Sequence, residues 1–422
     1  MLFKYFLIYA VVFFGILVGV FLLLTLLESL SRVKNPQPRK FPSISLIVPA
    51  YNEEKNIAKA IMALAQLNYP SEQLEILVID DGSRDRTFEI AKKAAAEIMK
   101  SKNILVKVFT KKNGGKASAI NLGISKSKSE IIATLDADSF VTKDALLKMV
   151  GYLDNPKVVS VTSSLKVYKP KGFLQRVQHI EYLFSIFMRK IFAFLNVIHI
   201  TPGPLSIYRK SFFDKYGGFD EDNPTEDTEI AFRIQSHHYK IENSVDAIVY
   251  TVAPSNFNVL LKQRVRWYSG LLKNLKMYPQ LFNPSYGYLA LFALPAALLS
   301  VVLLLIVVTY FTYLLVDAWI QTFNYWLSVN FDFVTLMKGF KIEYMYYELT
   351  SPVSILLLIS LLFNLAFIVI AKFASKDKRP LALSYIYYSA AYAYLYSFWW
   401  LMVLVYKTFG GKISWAEIKF KQ

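Results

Sequence analysis

The chain of 422 residues contains no cysteine and only four histidines. The lack of cysteine excludes disulfides, thiol nucleophiles and cysteine-ligated metals, but it fits a compartment of any redox state. A metal ion would therefore need oxygen or histidine ligands, and the four histidines show no metal-ligand spacing. Acidic residues are also few, since 31 Asp and Glu stand against 48 Lys and Arg and leave a formal net charge of +17.

The excess of basic residues has three interpretations. Nucleic acid is not expected as a partner, because the chain shows neither a recognition motif nor a run of basic and aromatic residues. Attraction to an anionic membrane leaflet, together with binding of a phosphate-rich substrate, explains the charge better. A solvated basic surface without a specific role remains the interpretation for most individual lysines.

Hydrophobic residues make up 55% of the chain and collect at the N-terminus and after about residue 285. Four charge-free stretches are each long enough to cross a membrane, namely 5–27, 289–316, 351–371 and 381–406. No small-residue cleavage site follows the first stretch, so it is expected to be an anchor rather than a removed signal. We predict four membrane crossings and contact with membrane lipids.

Basic residues in the short loops predict the orientation of these segments. Arg32 and Lys40 belong to a basic group directly after the first segment, which places the middle of the chain in the cytoplasm. We therefore predict a multi-pass protein of the plasma membrane with a cytoplasmic catalytic domain. The loop 372–380 is also basic, whereas 317–350 is more acidic and suits the outside. Four crossings would leave the lysine-rich tail outside, against the rule. The aromatic residues of 381–406 either face lipid and pack against other helices, which is favoured, or line a cavity.

These features divide the chain into an N-terminal transmembrane helix with a basic linker (1–40), a cytoplasmic α/β domain (41–255), interfacial helices (256–284) and a C-terminal transmembrane region (285–422). Within the α/β domain, short apolar runs alternate with amphipathic segments. The runs predict strands at 43–48, 75–79, 104–109 and 131–135. Such alternation predicts a parallel sheet covered by helices on both faces.

Polar motifs follow three of the predicted strands. The sequence PAYNE (49–53) follows the first strand, DDGS (80–83) the second and DAD (136–138) the fourth. Ligands of such sheets gather at the carboxyl ends of the strands, so we expect these motifs to meet at one edge.

Asp136 and Asp138 are the strongest metal candidates. Two carboxylates one residue apart point to the same side if the strand continues, and Mg²⁺ or Mn²⁺ binds one or two carboxylates together with substrate phosphates. The alternative is a turn whose Asp138 or Ser139 caps a helix that starts near Thr142. The apolar strand directly before the motif favours the metal site.

The other two edge motifs have plain structural alternatives. Asp80 and Asp81 could hold the uracil or ribose of a nucleotide, but Asp and Gly favour turns whatever the function. Tyr51 offers a face on which a base can stack. Glu53 would complement a helix dipole even without a ligand.

Three further motifs lie outside these strand ends. NGGK (113–116) resembles an anion-binding turn in which Lys116 supplies charge. TED (225–227) either caps a helix or supplies a general base for an acceptor hydroxyl. QRVRW (263–267) lies on a predicted amphipathic helix, where a spacing of three places Gln263 and Arg266 on one face with Trp267 alongside.

Five of these motifs, PAYNE, DDGS, DAD, TED and QRVRW, together resemble the processive branch of family 2 glycosyltransferases, which includes cellulose, chitin, hyaluronan and poly-N-acetylglucosamine synthases. The resemblance covers about 43–284 with its flanking membrane segments. The stretch TPGPLSIYR (201–209), which contains Gly203, further resembles the acceptor-site segment of hyaluronan and chitin synthases.

This resemblance implies an α/β GT-A fold inserted between transmembrane helices, a UDP-sugar donor and inversion to a β-linkage. It implies a divalent cation, Mg²⁺ or Mn²⁺, on Asp138 assisted by Asp136, and Asp227 as the catalytic base. The implied donor-binding residues are Ala50, Tyr51, Glu53, Asp80, Asp81, Lys116 and Asp136. Those implied for the acceptor or the diphosphate are Gly203, Glu226, Gln263, Arg266 and Trp267.

The resulting first hypothesis is a membrane-bound synthase that extends a growing β-linked polysaccharide. The alternative is a single transfer to a lipid acceptor, which the motif at 263–267 disfavours and the modest number of spans favours. The third hypothesis is a non-catalytic membrane protein that retains the fold. The presence of both Asp138 and Asp227 argues against it.

Overall fold

The computed structural model describes residues 2–102, 104–332, 351–409, 412–413 and 418–419. Its helices are α1 (Leu2–Glu28), α2 (Ile57–Leu64), α3 (Thr87–Lys102), α4 (Lys116–Lys126), α5 (Leu147–Val150), α6 (Phe173–Leu195), α7 (Lys210–Tyr216), α8 (Glu226–Ser236), α9 (Phe257–Met277), α10 (Leu294–Ser328), α11 (Pro352–Ala374) and α12 (Ala382–Thr408). Its strands are β1 (Ile44–Ala50), β2 (Leu74–Asp80), β3 (Leu105–Thr110), β4 (Ile131–Thr134), β5 (Phe140–Val141), β6 (Val158–Val167), β7 (Ser206–Arg209), β8 (Lys240–Thr251), β9 (Lys412–Ile413) and β10 (Ile418–Lys419).

Eight strands form one sheet in the order β3-β2-β1-β4-β7-β6-β8-β5. The predicted parallel arrangement is confirmed for β1 to β4. It is wrong for the whole sheet, because β7 pairs antiparallel with both β4 and β6. The apolar pattern identifies a buried strand, but strand direction depends on the path of the chain between strands, here through the long helix α6.

The two faces of the sheet carry separate hydrophobic cores. Leu46 and Val48 of β1 pack on the side of α2 and α3, while Ile47 points to the other side and packs with α4. Successive side chains of a strand point to opposite faces, so a strand buried on both faces is apolar at every position. The helical layers predicted for both faces are therefore confirmed.

The basic linker after α1 is attached to the α/β domain. The Asn35 side chain donates to the Asp246 carboxylate and accepts a hydrogen bond from the Tyr152 hydroxyl at 2.9 Å. The Pro36 carbonyl lies directly over Gly151, at a distance where no side chain fits. These contacts fix the position of α1 relative to the domain.

We predict that Gly151→Ala weakens this attachment. The added Cβ would collide with the backbone carbonyl of Pro36, and overpacking of this kind typically costs about 1–3 kcal/mol. Thermal unfolding should therefore shift to lower temperature. Gly172→Ala is the matched control, because a Cβ there meets nothing within 4 Å. Equal melting of the two variants would contradict the packing described for the linker.

Three described helices are long and apolar enough to cross a membrane, over Phe6–Glu28, Leu289–Ser328 and Ser354–Ala374. They confirm three of the four predicted spans as candidates. The fourth stretch, 381–406, forms α12 but is not among the candidates. Tyrosine, serine and tryptophan make up much of α12 and lower its hydropathy below that of a typical span.

The amphipathic helix α6 joins the domain to the candidate spans. Leu183 and Phe187 pack in one cluster with Leu22 of α1 and Phe367 of α11. The rings of Phe187 and Phe367 stack with their centroids 4.8 Å apart. Helix α6 therefore lies between the α/β domain and the ends of α1 and α11.

Candidate active site

The motifs after β1, β2 and β4 meet at one edge of the sheet, as predicted. Ala50 and Asp80 are paired in register at the ends of β1 and β2, and the Asp81 amide donates to the Ala50 carbonyl at 2.8 Å. On the other side of β1, the amide of Leu135 donates to the carbonyl of Ile47 at 3.0 Å. The chain therefore leaves all three strands toward the same side.

The DAD motif forms a turn rather than a continuation of the strand. Strand β4 ends at Thr134, and the Ser139 amide donates to the Asp136 carbonyl at 3.0 Å. The alternative of a cap for a helix near residue 142 is wrong, because α5 begins only at Leu147. Ser139 instead donates its hydroxyl to Asp138 at 3.2 Å.

Asp138 is surrounded by negative charge. Burial raises its pKa to about 6, and the carboxylates of Asp136 and Glu53 add to this effect. The turn therefore brings Asp136, Asp138 and Glu53 close enough for their charges to interact. Such an acidic group is stabilised by a cation.

Lys116, the first residue of α4, connects the DAD turn with the TED motif. Its Nζ lies 2.5 Å from Asp136 Oδ1 and 3.5 Å from Glu226 Oε1. Burial disfavours the charge of Lys116, but the carboxylates of Asp136 and Glu226 hold its pKa above the usual range. One cation therefore holds together acids that lie about 90 residues apart in the sequence.

Gly203 approaches this ion pair at close range. A Cβ at this position would collide with Lys116 Nζ and would lie 3.1 Å from both carboxylate oxygens of Asp136. The Gly203 carbonyl accepts a hydrogen bond from the Thr134 hydroxyl at 3.3 Å. The segment predicted to bind the acceptor therefore borders the DAD turn directly.

We predict that Gly203→Ala displaces Lys116 from Asp136 without unfolding the domain. A displacement of about 1 Å in a catalytic site can cost about 10²-fold in rate, so the sugar transfer that the resemblance implies should fall by 10- to 100-fold. Initial rates and thermal melting should be measured together, with Gly172→Ala as the control. Unchanged transfer in Gly203→Ala would show that this close contact has no role in catalysis.

The NGGK turn binds an anion that belongs to the protein itself. The Gly114 and Gly115 amides donate to the Asp81 carboxylate at 3.0 and 2.7 Å, and Lys111 Nζ lies 3.0 Å from the same group. The predicted anion-binding geometry of the turn is present, but Asp81 occupies it. Contact of Asp81 with a nucleotide stays a prediction.

The remaining donor candidates differ in exposure. Asp80 is buried and accepts hydrogen bonds from the Thr110 hydroxyl at 2.8 Å and from the Ser83 amide at 3.3 Å. Tyr51 is 42% exposed, which leaves its ring accessible. Glu53 accepts a hydrogen bond from Asn56 at 2.8 Å, so it stabilises the approach to α2 while facing Asp138.

The TED motif is held in place by helix α9. Asn274 of α9 donates to the Thr225 hydroxyl at 3.1 Å and accepts from Asn223 at 2.7 Å. Gly270 lets α9 approach Thr225 at a distance that admits no side chain. The position of Asp227 therefore depends on α9, a relationship that the sequence motifs do not reveal.

Asp227 is half-buried beside the Lys116 cluster. Burial raises its pKa to about 6 and the charge of Glu226 adds to this, while Lys116 and Arg266 act in the opposite direction. Its Oδ1 accepts from the Thr228 amide at 2.9 Å, and its backbone carbonyl accepts from the Thr201 hydroxyl at 2.9 Å. The residue thus links the TED motif to the segment that contains Gly203.

We predict that transfer falls as the pH drops through about 6. A raised pKa means that Asp227 is protonated below about pH 6, where it can no longer accept a proton. The rate should be near its maximum above pH 7 and fall by about tenfold per pH unit well below 6. Initial rates should be compared with folding at each pH. A rate that stays constant down to pH 5 in the folded protein would exclude this carboxyl as the base.

The QRVRW motif lies on α9 beside the TED motif. Arg266 donates to the Pro224 carbonyl at 2.8 Å, and its charge reaches Asp227. Gln263 and Trp267 are half-buried on the same helix. Arg266 therefore lies beside the TED motif, and the contact of these three residues with an acceptor or a diphosphate stays a prediction.

Arg264, the second residue of the motif, has a role that the sequence did not suggest. It forms a two-pronged ion pair with Glu181 of α6, at 2.7 and 2.6 Å. Its guanidinium lies 4.5 Å from the ring centre of Trp267 and 5.0 Å from that of Trp399 of α12. Such paired and stacked geometry favours arginine over lysine. Arg264 therefore positions Trp267 by joining three helices.

Arg189 of α6 is a second residue that sequence reasoning missed. Burial lowers its pKa to about 10, and the negative charge of Asp227 opposes this effect. It donates to the Ser163 carbonyl at 3.2 Å, and the Ser163 hydroxyl in turn donates to Pro204 at 3.0 Å. The available signal was a charged pair, 189–190, inside an otherwise apolar helical run.

Acidic side chains outnumber basic side chains in this site. The acids at or beside it are Glu53, Asp136, Asp138, Glu226 and Asp227, and the bases are Lys116, Arg189 and Arg266. Among the described residues, no three His, Cys, Asp or Glu side chains form a cluster that could by itself hold a metal ion. Asp136 and Asp138 supply two carboxylates, so a hard cation there would need further oxygens from a ligand.

The fold is the predicted GT-A fold. The mannosyltransferase PcManGT from Pyrobaculum calidifontis, solved in complex with GDP-Man and Mn²⁺, superposes with a TM-score of 0.52 at 20% identity. The match covers 88% of this chain and 100% of that one. At this level of identity the likeness concerns the fold.

The sequence of the domain is similar to that of a known family. Residues 45–217 match the family model described as Glycosyl transferase family 2. The chain is 31% identical over 239 residues to the probable glycosyltransferase YdaM of Bacillus subtilis, covering 55% of this chain and 56% of that protein. It is 31% identical over 229 residues to a poly-beta-1,6-N-acetyl-D-glucosamine synthase of Staphylococcus epidermidis, covering 54% of each. The matched region spans about half the length of these relatives.

Proposed function

We propose that the protein is a membrane-bound, inverting glycosyltransferase that extends a β-linked polysaccharide from a UDP-sugar donor. The observation that supports this most is the contact of Lys116 with both the DAD turn and the TED motif. That contact brings a cation, a pair of carboxylates and a candidate base into one site. The S. epidermidis relative, whose name describes synthesis of a poly-N-acetylglucosamine, supports polymer formation.

In this proposal Asp227 accepts the proton of the acceptor hydroxyl. The hydroxyl oxygen attacks the anomeric carbon, the bond from that carbon to the diphosphate oxygen breaks, and UDP leaves with the bonding electrons. Attack from the face opposite the diphosphate inverts the anomeric centre, so a single base is sufficient. The raised pKa of Asp227, about 6, suits a base that works near neutral pH.

Asp136 and Asp138 are proposed to hold Mg²⁺ or Mn²⁺ together with the donor diphosphate. The acidic excess of the site supports this, because a UDP-sugar would otherwise bring its own negative charge into a negative pocket. When bound, the cation neutralises charge on the departing diphosphate. Lys116 and Arg266 are proposed to stabilise the same charge from the protein side.

The acceptor is proposed to lie between the TED motif and α9. Trp267 would stack on the terminal sugar, while Gln263 and Gly203 border the reacting hydroxyl. Tyr51, whose ring is accessible, would stack on the base, and Asp80 and Asp81 would shape the turn that receives the nucleotide. The α/β domain would face the cytoplasm, as the basic linker predicts.

The experiment that tests the activity is a donor panel. Purified protein in lipid is incubated with Mg²⁺ or Mn²⁺ and radiolabelled UDP-sugars, and the product is sized before and after glycosidase digestion. A high-molecular-weight, digestible product with one donor is expected. Label found only in a lipid extract would replace the polymer proposal with single transfer to a lipid. Failure of every donor would overturn the proposed activity.

We predict that Asp227→Asn abolishes most of this transfer while UDP still binds. Removing a general base typically costs about 10²–10⁴-fold in rate, and the amide keeps the size of the side chain. Transfer is measured by incorporated label and UDP binding by calorimetry. Asp214→Asn is the matched control, since Asp214 is exposed on α7 and pairs only with Lys210 at 2.6 Å among the contacts described. Retained turnover in Asp227→Asn would remove Asp227 from the role of base.

A further inference from the structure

Helix α12 has an outer face that is apolar and an inner face that is polar and aromatic. Its exposed positions include Leu383, Ile386, Leu401 and Leu404, each between 44% and 61% accessible. Its buried positions include Ser384, Tyr388, Ser397, Trp399 and Trp400. A surface helix of a soluble domain has the opposite arrangement. The outer face of α12 therefore suits a lipid environment.

The start of α12 is attached to the α/β domain by buried ions. In the loop before it, the Ser375 carbonyl accepts from Lys166 of β6 at 2.6 Å. Asp377 lies 3.7 Å from the same lysine and also pairs with Arg379, which donates to the Val167 carbonyl at 2.5 Å. Side chains of Lys166 and Asp377 are each only 2% exposed. The chain enters α12 while in contact with the central sheet.

The first half of α12 runs along α6. Tyr388 packs in a cluster with Val177 and Ile180 of α6 and with Ile368 of α11. One turn further, the Tyr392 hydroxyl donates to Glu181 at 3.4 Å. This part of the helix therefore stays against the domain instead of leaving it.

The second half of α12 runs along α9. The rings of Trp400 and Tyr268 stack with their centroids 4.8 Å apart, and Trp399 faces Arg264. Val403 and Tyr406 pack against Val265, so even the last turns of α12 touch the helix that carries the QRVRW motif.

The end of α12 lies close to the end of α9. Val403 and Tyr406 pack in one cluster with Leu272, which lies one turn before Lys276 on α9. Lys273, one turn before Lys276, donates to the Asp222 carbonyl at 2.8 Å, so this end of α9 belongs to the α/β domain. The C-terminal end of α12 is therefore also at the domain.

A helix of 27 residues is about 40 Å long, more than the ~30 Å of a hydrocarbon core. If it crossed the membrane, only one of its ends could lie at the domain, whereas here both ends do. We propose that α12 does not cross the membrane but lies in its plane, with its apolar outer face bound to lipid and its last residue, Thr408, on the side of the α/β domain.

The candidate spans agree with this placement. Helices α1, α10 and α11 make three crossings, which return the chain to the side of the domain at the loop before α12. Helix α12 packs against both α10 and α11, so its outer face continues their lipid-facing surfaces. The tail lysines, which four crossings would place outside, then follow the positive-inside rule.

The proposed position of α12 also connects the lipid bilayer with the candidate active site. Trp399 of α12 stacks on Arg264, which positions Trp267 on α9. A helix held in the membrane plane by lipid would thus support the wall at which an acceptor is proposed to bind. The membrane placement itself does not depend on the proposed activity.

The test uses the natural lack of cysteine, which makes single-cysteine variants specific. Thr408→Cys reports on which side of the membrane α12 ends. Lys100→Cys, on the exposed surface of α3, marks the side of the α/β domain, and Ser328→Cys, at the far end of α10, marks the opposite side. Each variant in sealed vesicles of one orientation is treated with a membrane-impermeant maleimide. Thr408→Cys should label from the same side as Lys100→Cys and from the opposite side to Ser328→Cys. Labelling of Thr408→Cys together with Ser328→Cys would overturn the proposal.

A second measurement distinguishes an in-plane helix from one that enters and leaves the membrane. Nitroxide labels are attached to cysteines at Leu383, Ile386, Leu401 and Leu404, and their accessibility to oxygen and to a water-soluble nickel complex is compared. Similar, shallow depths at all four positions are expected for an in-plane helix. A depth that rises to the bilayer centre and falls again along α12 would contradict it. Neither measurement needs substrate, so both remain valid if the donor panel fails.

Discussion

The arrangement of the site depends on the charge of Lys116. This ammonium lies 2.5 Å from Asp136 and 3.5 Å from Glu226, and so joins the sheet edge to the helix that carries Asp227. Without it, at least three buried or half-buried carboxylates would repel one another across the site. Gly203 leaves the space that this contact requires. The same charge that holds the acids together is the one proposed to face the donor diphosphate.

A second constraint comes from the helices next to the membrane. Helix α9 fixes the TED motif through Asn274 and Gly270, and it is itself held by α6 through Glu181 and by α12 through Trp399. Asp227 therefore lies between the α/β sheet, which is proposed to bind the donor, and a layer of helices that is proposed to bind the acceptor. Anything that moves these helices relative to the sheet would change the distance between the two halves of the site.

The sequence allowed the strand ends of the site to be predicted well and its helical half less well. Apolar runs that end in Asp and Gly identified β1, β2 and β4 and their common edge, because buried strands and turns leave strong local signals. The pairing of Arg264 with Glu181, which are 83 positions apart, left no such signal. The same holds for Asn274, whose contact with Thr225 depends on helix packing. For α12, length and lack of charge suggested a span, but only its contacts at both ends place it beside the domain.

The DAD turn and its neighbours are proposed to form a nucleotide diphosphate site that includes a cation. Calorimetric titration of UDP, with and without Mn²⁺, tests it most directly in the natural protein and in Asp138→Asn, with Asp214→Asn as the control. Mn²⁺ should tighten UDP binding in the natural protein and in the control. In Asp138→Asn the increase in UDP affinity that Mn²⁺ causes should be smaller by about tenfold or more, which corresponds to ~1.4 kcal/mol of binding free energy. Equal, Mn²⁺-independent UDP binding in all three proteins would contradict the account.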